Sequence, residues 1–434
     1  MTQSMVNRLQ NKNYSEVKHS LHIIRKTLLY KETNIRHKTI KKLETNLRMK
    51  ILNLKVSKKL DFINFELELL KQKNLYRKLR NSKVNQAYIT IKNKKLLNLC
   101  SNDYLGIPIT KVKINQMQSS SRLVSGNDES YKKLEDELSK HKSHQASLVY
   151  PTGYMANLGV ITTIAKKNDL ILSDELNHAS IIESCKLSGA KVLIYKHNDM
   201  EDLTRKLKQP GKNKFIITEG IFSMDGDFSN LKEISEIAEK LNGITVLDDA
   251  HGDFTVGVDG KGTPNHLNVT KKIDLYVSSL SKGLGSFGGY VSSQNNVIDL
   301  CINKSKSFIY TSALPSFLIE YSLKRIHLDR EKQRRKLEIN TSILRKGLKQ
   351  SGYQISSSTH IIPIIIGKEK TAMDFGKFLL KNGVFAQPIR YPTVPKNKAR
   401  LRISVTAWLT KNNINDALNV FDQAQKKFKI RIMS

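Results

Sequence analysis

The chain has 434 residues, 39% of them hydrophobic, and a formal net charge of +34 at pH 7. That length suffices for one large or two ordinary domains with substantial cores, and no apolar run reaches the length of a membrane-spanning helix. The N-terminus lacks the apolar stretch of a secretory leader, and Cys100, Cys185 and Cys301 form neither a CxxC pair nor a disulfide framework, so a cytoplasmic setting without a metal site is expected. The basic residues are spread along the chain without a zinc-finger, RNP or basic-zipper pattern. Neither a nucleic-acid nor a membrane partner is expected, and the positive surface suits anionic small molecules.

Residues 1–60 are polar and Lys/Asn-rich, with weak helical spacing at Leu21, Ile24, Leu28 and Leu29, and Met49 is an alternative first residue. From Phe62 to Arg80 the pattern is an amphipathic helix with Phe62, Phe65, Leu69 and Leu70 on one face. Tyr88 to Leu99 reads as a hairpin and SNDYLG (Ser101–Gly106) as a turn. SRLVSG is a loop before a helix that carries Leu134 and Leu138. Short apolar strands then alternate with helices: Ser147 to Tyr150, Asp169 to Ser173, Lys191 to Tyr195, Phe215 to Thr218, Ile244 to Leu247 and Ile273 to Val277. Such alternation implies a mainly parallel sheet. The helix with Leu231, Ile234, Ile237, Ala238 and Leu241 stops at Asn242-Gly243. A long charged helical region spans about 316–350, Ile361 to Ile366 is a strand, and Pro388 to Ser404 is a Pro-bounded loop entering another strand.

Ligands of an open parallel sheet bind beyond the carboxyl ends of its strands. Asp248 and His251 follow one apolar run, and Ser279 and Lys282 follow another in a Gly-rich loop. His178 follows a third strand, and Glu219 and Ser223 a fourth. A lysine able to form a Schiff base, beside a carboxylate able to hold a ring nitrogen protonated, suits pyridoxal phosphate. The strand–Pro–Gly–helix turn at Thr152, Gly153 and Tyr154 offers backbone N–H groups to its phosphate. A lysine or an aspartate alone at a strand end is usually structural, and an aromatic such as Tyr154 is more often packing than ligand; the joint order and spacing give these residues weight. Arg390, Arg400 and Arg402 are the candidates for gripping a substrate carboxylate.

The motifs NLCSNDYLG, SSRLVSGN, PTGYMANLGV, LSDELNHASII, TEGIFSMDGD, LDDAHGD, SLSKGLGSFGGY, FIYTSALPS and IRYPTVPKNKARLRIS occur in one order over about residues 62–430. Together they resemble the α-oxoamine synthases, pyridoxal-phosphate enzymes of fold type I. The resemblance implies an α/β fold, with a large mainly parallel-sheet domain over 105–316 and a smaller α+β domain over 317–434. A leading helix and hairpin would occupy 61–104, and residues 1–60 would be an extension without a counterpart in the family. It implies Lys282 as the Schiff-base lysine, Asp248 as the partner of the pyridine nitrogen, His178 stacked on the ring and His251 near its phenolic oxygen. Gly153, Tyr154 and Ser279 would hold the phosphate, with Thr311 and Ser312 reaching it from the second subunit of a homodimer. Arg402 would bind the substrate carboxylate, with Asn102, Ser223, Arg77 and Arg390 nearby.

The implied reaction is the decarboxylative condensation of an amino acid with an acyl thioester. The similarity is greatest to the branch that joins a pimeloyl thioester, on CoA or a carrier protein, to L-alanine in biotin synthesis. Glycine with acetyl-CoA is the alternative within the family; Arg390 and the Pro-rich loop favour the former. An aminotransferase would leave FIYTSALPS and HASI unexplained, and a basic nucleic-acid binder on a decayed scaffold conflicts with the intact lysine, acid and histidine set. Two departures stand out: Tyr131 replaces a histidine of the family, and His251-Gly252-Asp253-Phe254 replaces its HGTG.

Overall fold

The computed structural model describes residues 58–430 except Asn74 and Asn115, so the weak spacing at Leu21 to Leu29 lies outside the described residues. The chain divides into two compact units, Met1–Lys78 and Leu79–Ser434.

In the first unit, helix α1 (Asp61–Gln72) ends eight residues short of Arg80 and buries no side chain. The Leu70 carbonyl takes the N–H groups of both Leu75 and Tyr76, at 2.7 and 3.1 Å, and this closes the last turn. The stretch after Gln72 is therefore not helical, contrary to the amphipathic pattern read through it.

The second unit opens with a meander, β1 (Ser82–Asn85), β2 (Tyr88–Ile91) and β3 (Lys94–Asn98), which contains the expected hairpin. Its central sheet has seven strands: β4 (Ala146–Tyr150), β5 (Leu170–Asp174), β6 (Lys191–Tyr195), β7 (Lys214–Glu219), β8 (Ile244–Asp248), β9 (Leu275–Ser279) and β10 (Gly289–Ser293). Their order is β4-β10-β9-β8-β7-β5-β6. β10 runs antiparallel to both neighbours, and the chain of pairs from β9 to β6 is parallel. The continuous apolar runs arise because helices cover both faces of such a sheet; β5, β9 and β10 are buried at every position.

Helix α2 (Glu129–Lys142) is capped by Asp128, whose carboxylate accepts from Ser130 N at 2.9 Å. Helices α3 (Gly153–Ile164) and α4 (Ala179–Ser188) begin at Thr152 and His178, whose side chains cap their first turns. Helix α5 (Met200–Leu207) is capped by Asp199, and α6 (Leu231–Lys240) stops where Asn242 takes a φ of 52°. Helix α7 (Asn295–Lys304) follows β10.

The charged helical region after Pro315 consists of two helices, α8 (Ser316–Ile326) and α9 (Glu331–Gln350). Arg330 explains the break. Its guanidinium donates to the carbonyls of Ile326, Leu328 and Arg325 at 2.6, 2.9 and 3.0 Å, capping the end of α8. Beyond it, β11 (Ile361–Gly367), α10 (Glu369–Lys381), β12 (Val384–Phe385), β13 (Pro388–Ile389), β14 (Ala399–Ser404) and α11 (Lys411–Phe428) complete the chain. β12 extends the meander, and β11, β14 and β13 form a third sheet. One core cluster contains Leu247 and Tyr290 of the central sheet together with Ile362, Leu401 and Ile403. That shared packing sets Arg402, on β14, against the carboxyl ends of β7 and β8.

Candidate active site

The site is assembled by register. Glu219 and Asp248 are direct partners at the ends of β7 and β8, and both side chains are buried. Asp248 accepts from Asn157 Nδ2 at 2.6 Å and from the backbone N–H of Ala250 at 3.0 Å. The same Asn157 amide donates to Ser180 Oγ at 3.0 Å, and that hydroxyl meets His178 Nδ1 at 2.7 Å. One amide on α3 thus ties the acid to the histidine that starts α4.

After β8 the chain turns through His251. Its ring is buried; Nε2 lies 3.0 Å from Lys282 Nζ and Nδ1 lies 2.6 Å from the Tyr104 hydroxyl. Burial and the neighbouring positive charges of Lys282 and Arg402 keep this imidazole neutral, well below its ordinary pKa. Burial likewise lowers the pKa of Lys282, and Arg402 adds to the effect against the opposing attraction of Asp248 and Glu219. Burial, and then the adjacent Asp248, push Glu219 well above the usual carboxylate range. The lysine is therefore biased towards its neutral amine, which can form imines and move protons.

Arg402 completes the cluster. It donates to the Ser223 carbonyl, to Asn102 Oδ1 at 3.0 Å, to Ser404 Oγ at 2.7 Å and to the Tyr104 hydroxyl at 3.2 Å. The structure thus brings together Lys282, Asp248, His251, His178, Asn102, Ser223 and Arg402. Arg400, a further carboxylate-binding candidate, is instead ion-paired with Asp225. Arg390 lies half-buried directly after β13, and Arg77 belongs to the first unit.

On the other side of the cluster, Thr152 Oγ1 accepts from Met155 N at 3.1 Å, and Ser279 Oγ sits 2.8 Å from Ser281 Oγ. The N–H groups of Gly153 and Tyr154 open the first turn of α3, where no intrahelical carbonyl can reach them. A Cβ on Gly153 would come within 3.2 Å of Ser279 Cβ, so glycine keeps this cradle open. Tyr154 stands edge-on to His178, 6.4 Å between ring centres, and its hydroxyl contacts Glu183. Thr311 and Ser312 line a surface hollow with Ser121, Leu123, Val124, Ile309 and Tyr310. None of the cluster's hydrogen bonds given above reaches these two residues.

Two buried residues escaped the sequence reading as site members. Tyr104 reads in the sequence as part of a turn, yet its hydroxyl touches His251, Asn102 and Arg402. Glu219 was noted at a strand end without a role. The burial of SNDYLG, a polar turn motif with an aromatic at its centre, is visible only in three dimensions.

Both departures from the family motifs are absorbed structurally. Tyr131 is buried and its hydroxyl donates to the Leu314 carbonyl at 3.0 Å. Asp253 is ion-paired with Lys142 and accepts from His141 Nε2 at 3.2 Å, Phe254 N at 3.0 Å and the Tyr290 hydroxyl. Phe254 takes a φ of 61°, a region that favours glycine, and its buried ring stacks on His141 at 4.7 Å.

Pyridoxal phosphate fits this residue set. A half-buried amine of lowered pKa faces a fixed carboxylate, and a helix N-terminus opens beside a serine. Glu219 Oε1 and Asn157 Oδ1 are buried without a hydrogen-bond partner among the described residues, so the cluster retains polar capacity for a ligand.

Known proteins agree. The sequence pattern of the aminotransferase class I and II family matches residues 94–421. The 8-amino-7-oxononanoate synthase of Thermoanaerobacter pseudethanolicus is 41% identical over 389 residues, covering 86% of this chain and 98% of that protein. A putative 8-amino-7-oxononanoate synthase of Methanococcus vannielii is 40% identical, covering 80% and 94%. Among solved structures, the serine palmitoyltransferase of Sphingomonas wittichii has a TM-score of 0.80 at 26% identity, covering 87% of this chain and all of that one. The 8-amino-7-oxononanoate synthase of Francisella tularensis has a TM-score of 0.67 at 25% identity, covering 77% and 99%. The chain therefore belongs to the aminotransferase class I and II family, within its α-oxoamine synthase branch, and pyridoxal 5'-phosphate is its cofactor.

Proposed function

We propose that the protein condenses a pimeloyl thioester, on CoA or a carrier protein, with L-alanine to give 8-amino-7-oxononanoate, carbon dioxide and the free thiol carrier. The observation that carries this is the 41% identity to the Thermoanaerobacter enzyme across 98% of its length. The cluster around Lys282 supports it.

When bound, pyridoxal phosphate supplies an aldehyde for imine formation and a protonated ring that withdraws electrons from the substrate's α carbon. Lys282 would be the residue that holds it covalently. Asp248, anchored by Asn157, would keep the ring nitrogen protonated, and His178 would be the residue against the ring. Gly153 and Tyr154 present N–H groups to the phosphate, with Ser279 and Thr152 beside them. Arg402 would take the carboxylate of the amino acid, with Asn102, Ser223 and Arg390 as its companions in the second unit. With the cofactor and amino acid bound, Lys282 would be the base at the α carbon, and its lowered pKa favours the neutral amine that this role needs. His251 would donate towards the ring oxygen.

The active unit in this reading is a cytoplasmic homodimer in which Thr311 and Ser312 reach the phosphate of the partner's site. The exposed Val124 and Tyr310 beside them suit burial against a second copy. No helix among the described residues is long and apolar enough to cross a membrane. Residues 105–316 form the cofactor-binding domain and 317–434 the smaller domain, preceded by the 61–104 segment and an extension over 1–60 of unassigned role.

The test offers purified protein alanine and glycine together with pimeloyl-CoA and acetyl-CoA, and reads product masses. 8-Amino-7-oxononanoate is expected. The glycine–acetyl product alone would move the substrate assignment to the sister activity while keeping every residue role.

A further inference from the structure

Tyr104 is the polar centre of the site although nothing in its own motif marks it. Its side chain is fully buried. Its hydroxyl meets His251 Nδ1 at 2.6 Å, Asn102 Oδ1 at 3.1 Å and Arg402 Nη2 at 3.2 Å. The guanidinium can only donate and the Asn102 carbonyl can only accept, so the single phenolic proton goes either to Asn102 or to His251. Asn102 Oδ1 already accepts from Arg402 Nη1 at 3.0 Å. The histidine contact is shorter than a ring N–H donor usually makes and falls in the range of a donating hydroxyl.

We propose that Tyr104 donates its proton to His251 Nδ1 and so fixes the tautomer that carries its hydrogen on Nε2, the nitrogen turned to Lys282. Tyr104 is then a positioning residue, acting through His251. The imidazole is neutral: burial first, then the positive charge of Lys282 in its protonated form and that of Arg402, oppose its protonation, and His360 and His178, themselves biased towards the neutral form by burial, face it too. A neutral ring has one N–H to place, and the residue bonded to the far nitrogen decides where it goes. With Nδ1 occupied by Tyr104, Nε2–H is the donor available to the cofactor's ring oxygen. The same phenol accepts from Arg402, so the carboxylate-binding cation and the cofactor-side donor share one hydroxyl.

The inference rests on the site assignment proposed above, and the two fail differently. The absorbance of holoenzyme is followed against pH for wild type, Tyr104→Phe, His251→Gln and the double variant. Glutamine carries a terminal amide N–H at the reach of Nε2 whatever residue stands at 104. Loss of a donor makes the ring oxygen more basic, so Tyr104→Phe should raise the midpoint of the spectral transition by about one pH unit. In the His251→Gln background the same change should move it by less than about 0.2 unit. Equal shifts in both backgrounds, or none in either, would overturn the tautomer role. Should Tyr104→Phe fail to retain cofactor, His251→Asn gives the second reading. Its amide reaches only the δ position, so its midpoint should rise while that of His251→Gln stays, and equal midpoints refute the proposal. A wild-type protein with no bound-cofactor absorbance would take down the site assignment itself.

Discussion

Asp248 and Asp249 are neighbours in the chain and belong to opposite worlds. Asp248 joins a cluster with spare polar capacity, where Glu219 Oε1 and Asn157 Oδ1 lack partners among the described residues. Asp249 joins a closed network. It accepts from Thr263 N, Thr263 Oγ1 and the Tyr276 hydroxyl at 2.7, 2.6 and 2.8 Å. Tyr276 accepts from Lys142 Nζ at 2.8 Å, and Lys142 pairs with Asp253, which also takes the Tyr290 hydroxyl. Both oxygens of Asp249 and of Asp253 are used. Even the backbone is committed, since a Cβ on Gly252 would stand 2.1 Å from Asp249 Oδ1. A saturated buried network stabilises and orients; one left partly open is built around something still to come.

The sharpest break of that comparison is on the open side. Lys282→Ala should abolish steady-state turnover, a fall of roughly a thousandfold or more, with an unchanged thermal melt of the apoprotein. Asp248→Asn should lose most of the rate with little change in stability. Asp249→Asn should do the reverse, keeping the cofactor spectrum of whatever protein folds and lowering the melting temperature. Turnover by Asp248→Asn at the wild-type rate would mean that the wrong aspartate has been assigned to the ring nitrogen.

Next in size is the closed side. Burial opposes ionisation of Asp253, but the charge of Lys142 and the contact with His141 hold its carboxyl well below the ordinary range. The ion pair is almost completely buried. Removing one partner of such a pair strands the other charge, at a cost of about 3–5 kcal/mol. Lys142→Met should therefore destabilise more in denaturant titration than the double variant Lys142→Met with Asp253→Asn, which removes both charges. If the double variant is the weaker of the two, the pair is not the unit of this network.

Much of this architecture was legible in the sequence because parallel strands covered on both faces are uniformly apolar, and their ends are marked by the first polar residues. Lys282, Asp248, His251 and His178 could be placed on that basis. Tyr104 could not, since a tyrosine in a polar turn gives no sign that β14 will pack over it. Glu219 stayed silent because its meaning depends on its register with Asp248, which only the sheet supplies. Asp253 looked like damage to a glycine-bearing motif. Its compensation, Lys142, lies more than a hundred residues earlier on α2, with nothing local to link the two. The split between α8 and α9 was hidden for a related reason: Arg330 continues the charged pattern while its guanidinium caps the preceding carbonyls.

The smallest expected effect probes a third arrangement, neither open nor part of the buried network. His197 bridges Asp174 at 2.9 Å and Asp227 at 2.8 Å, pinning the loop after β7 that carries Ser223. Burial disfavours the imidazolium, yet the hydrogen bonds and charges of the two aspartates outweigh it and raise the His197 pKa to about 10. A raised folded-state value means that the stabilisation is complete below the unfolded pKa of about 6.5 and fades as pH climbs through about 10. His197→Gln should lower the melting temperature by roughly 5 °C at pH 6, with the gap to wild type closing by about pH 10.5. A gap that stays constant across that window would mean that the bridge acts through packing and not through charge.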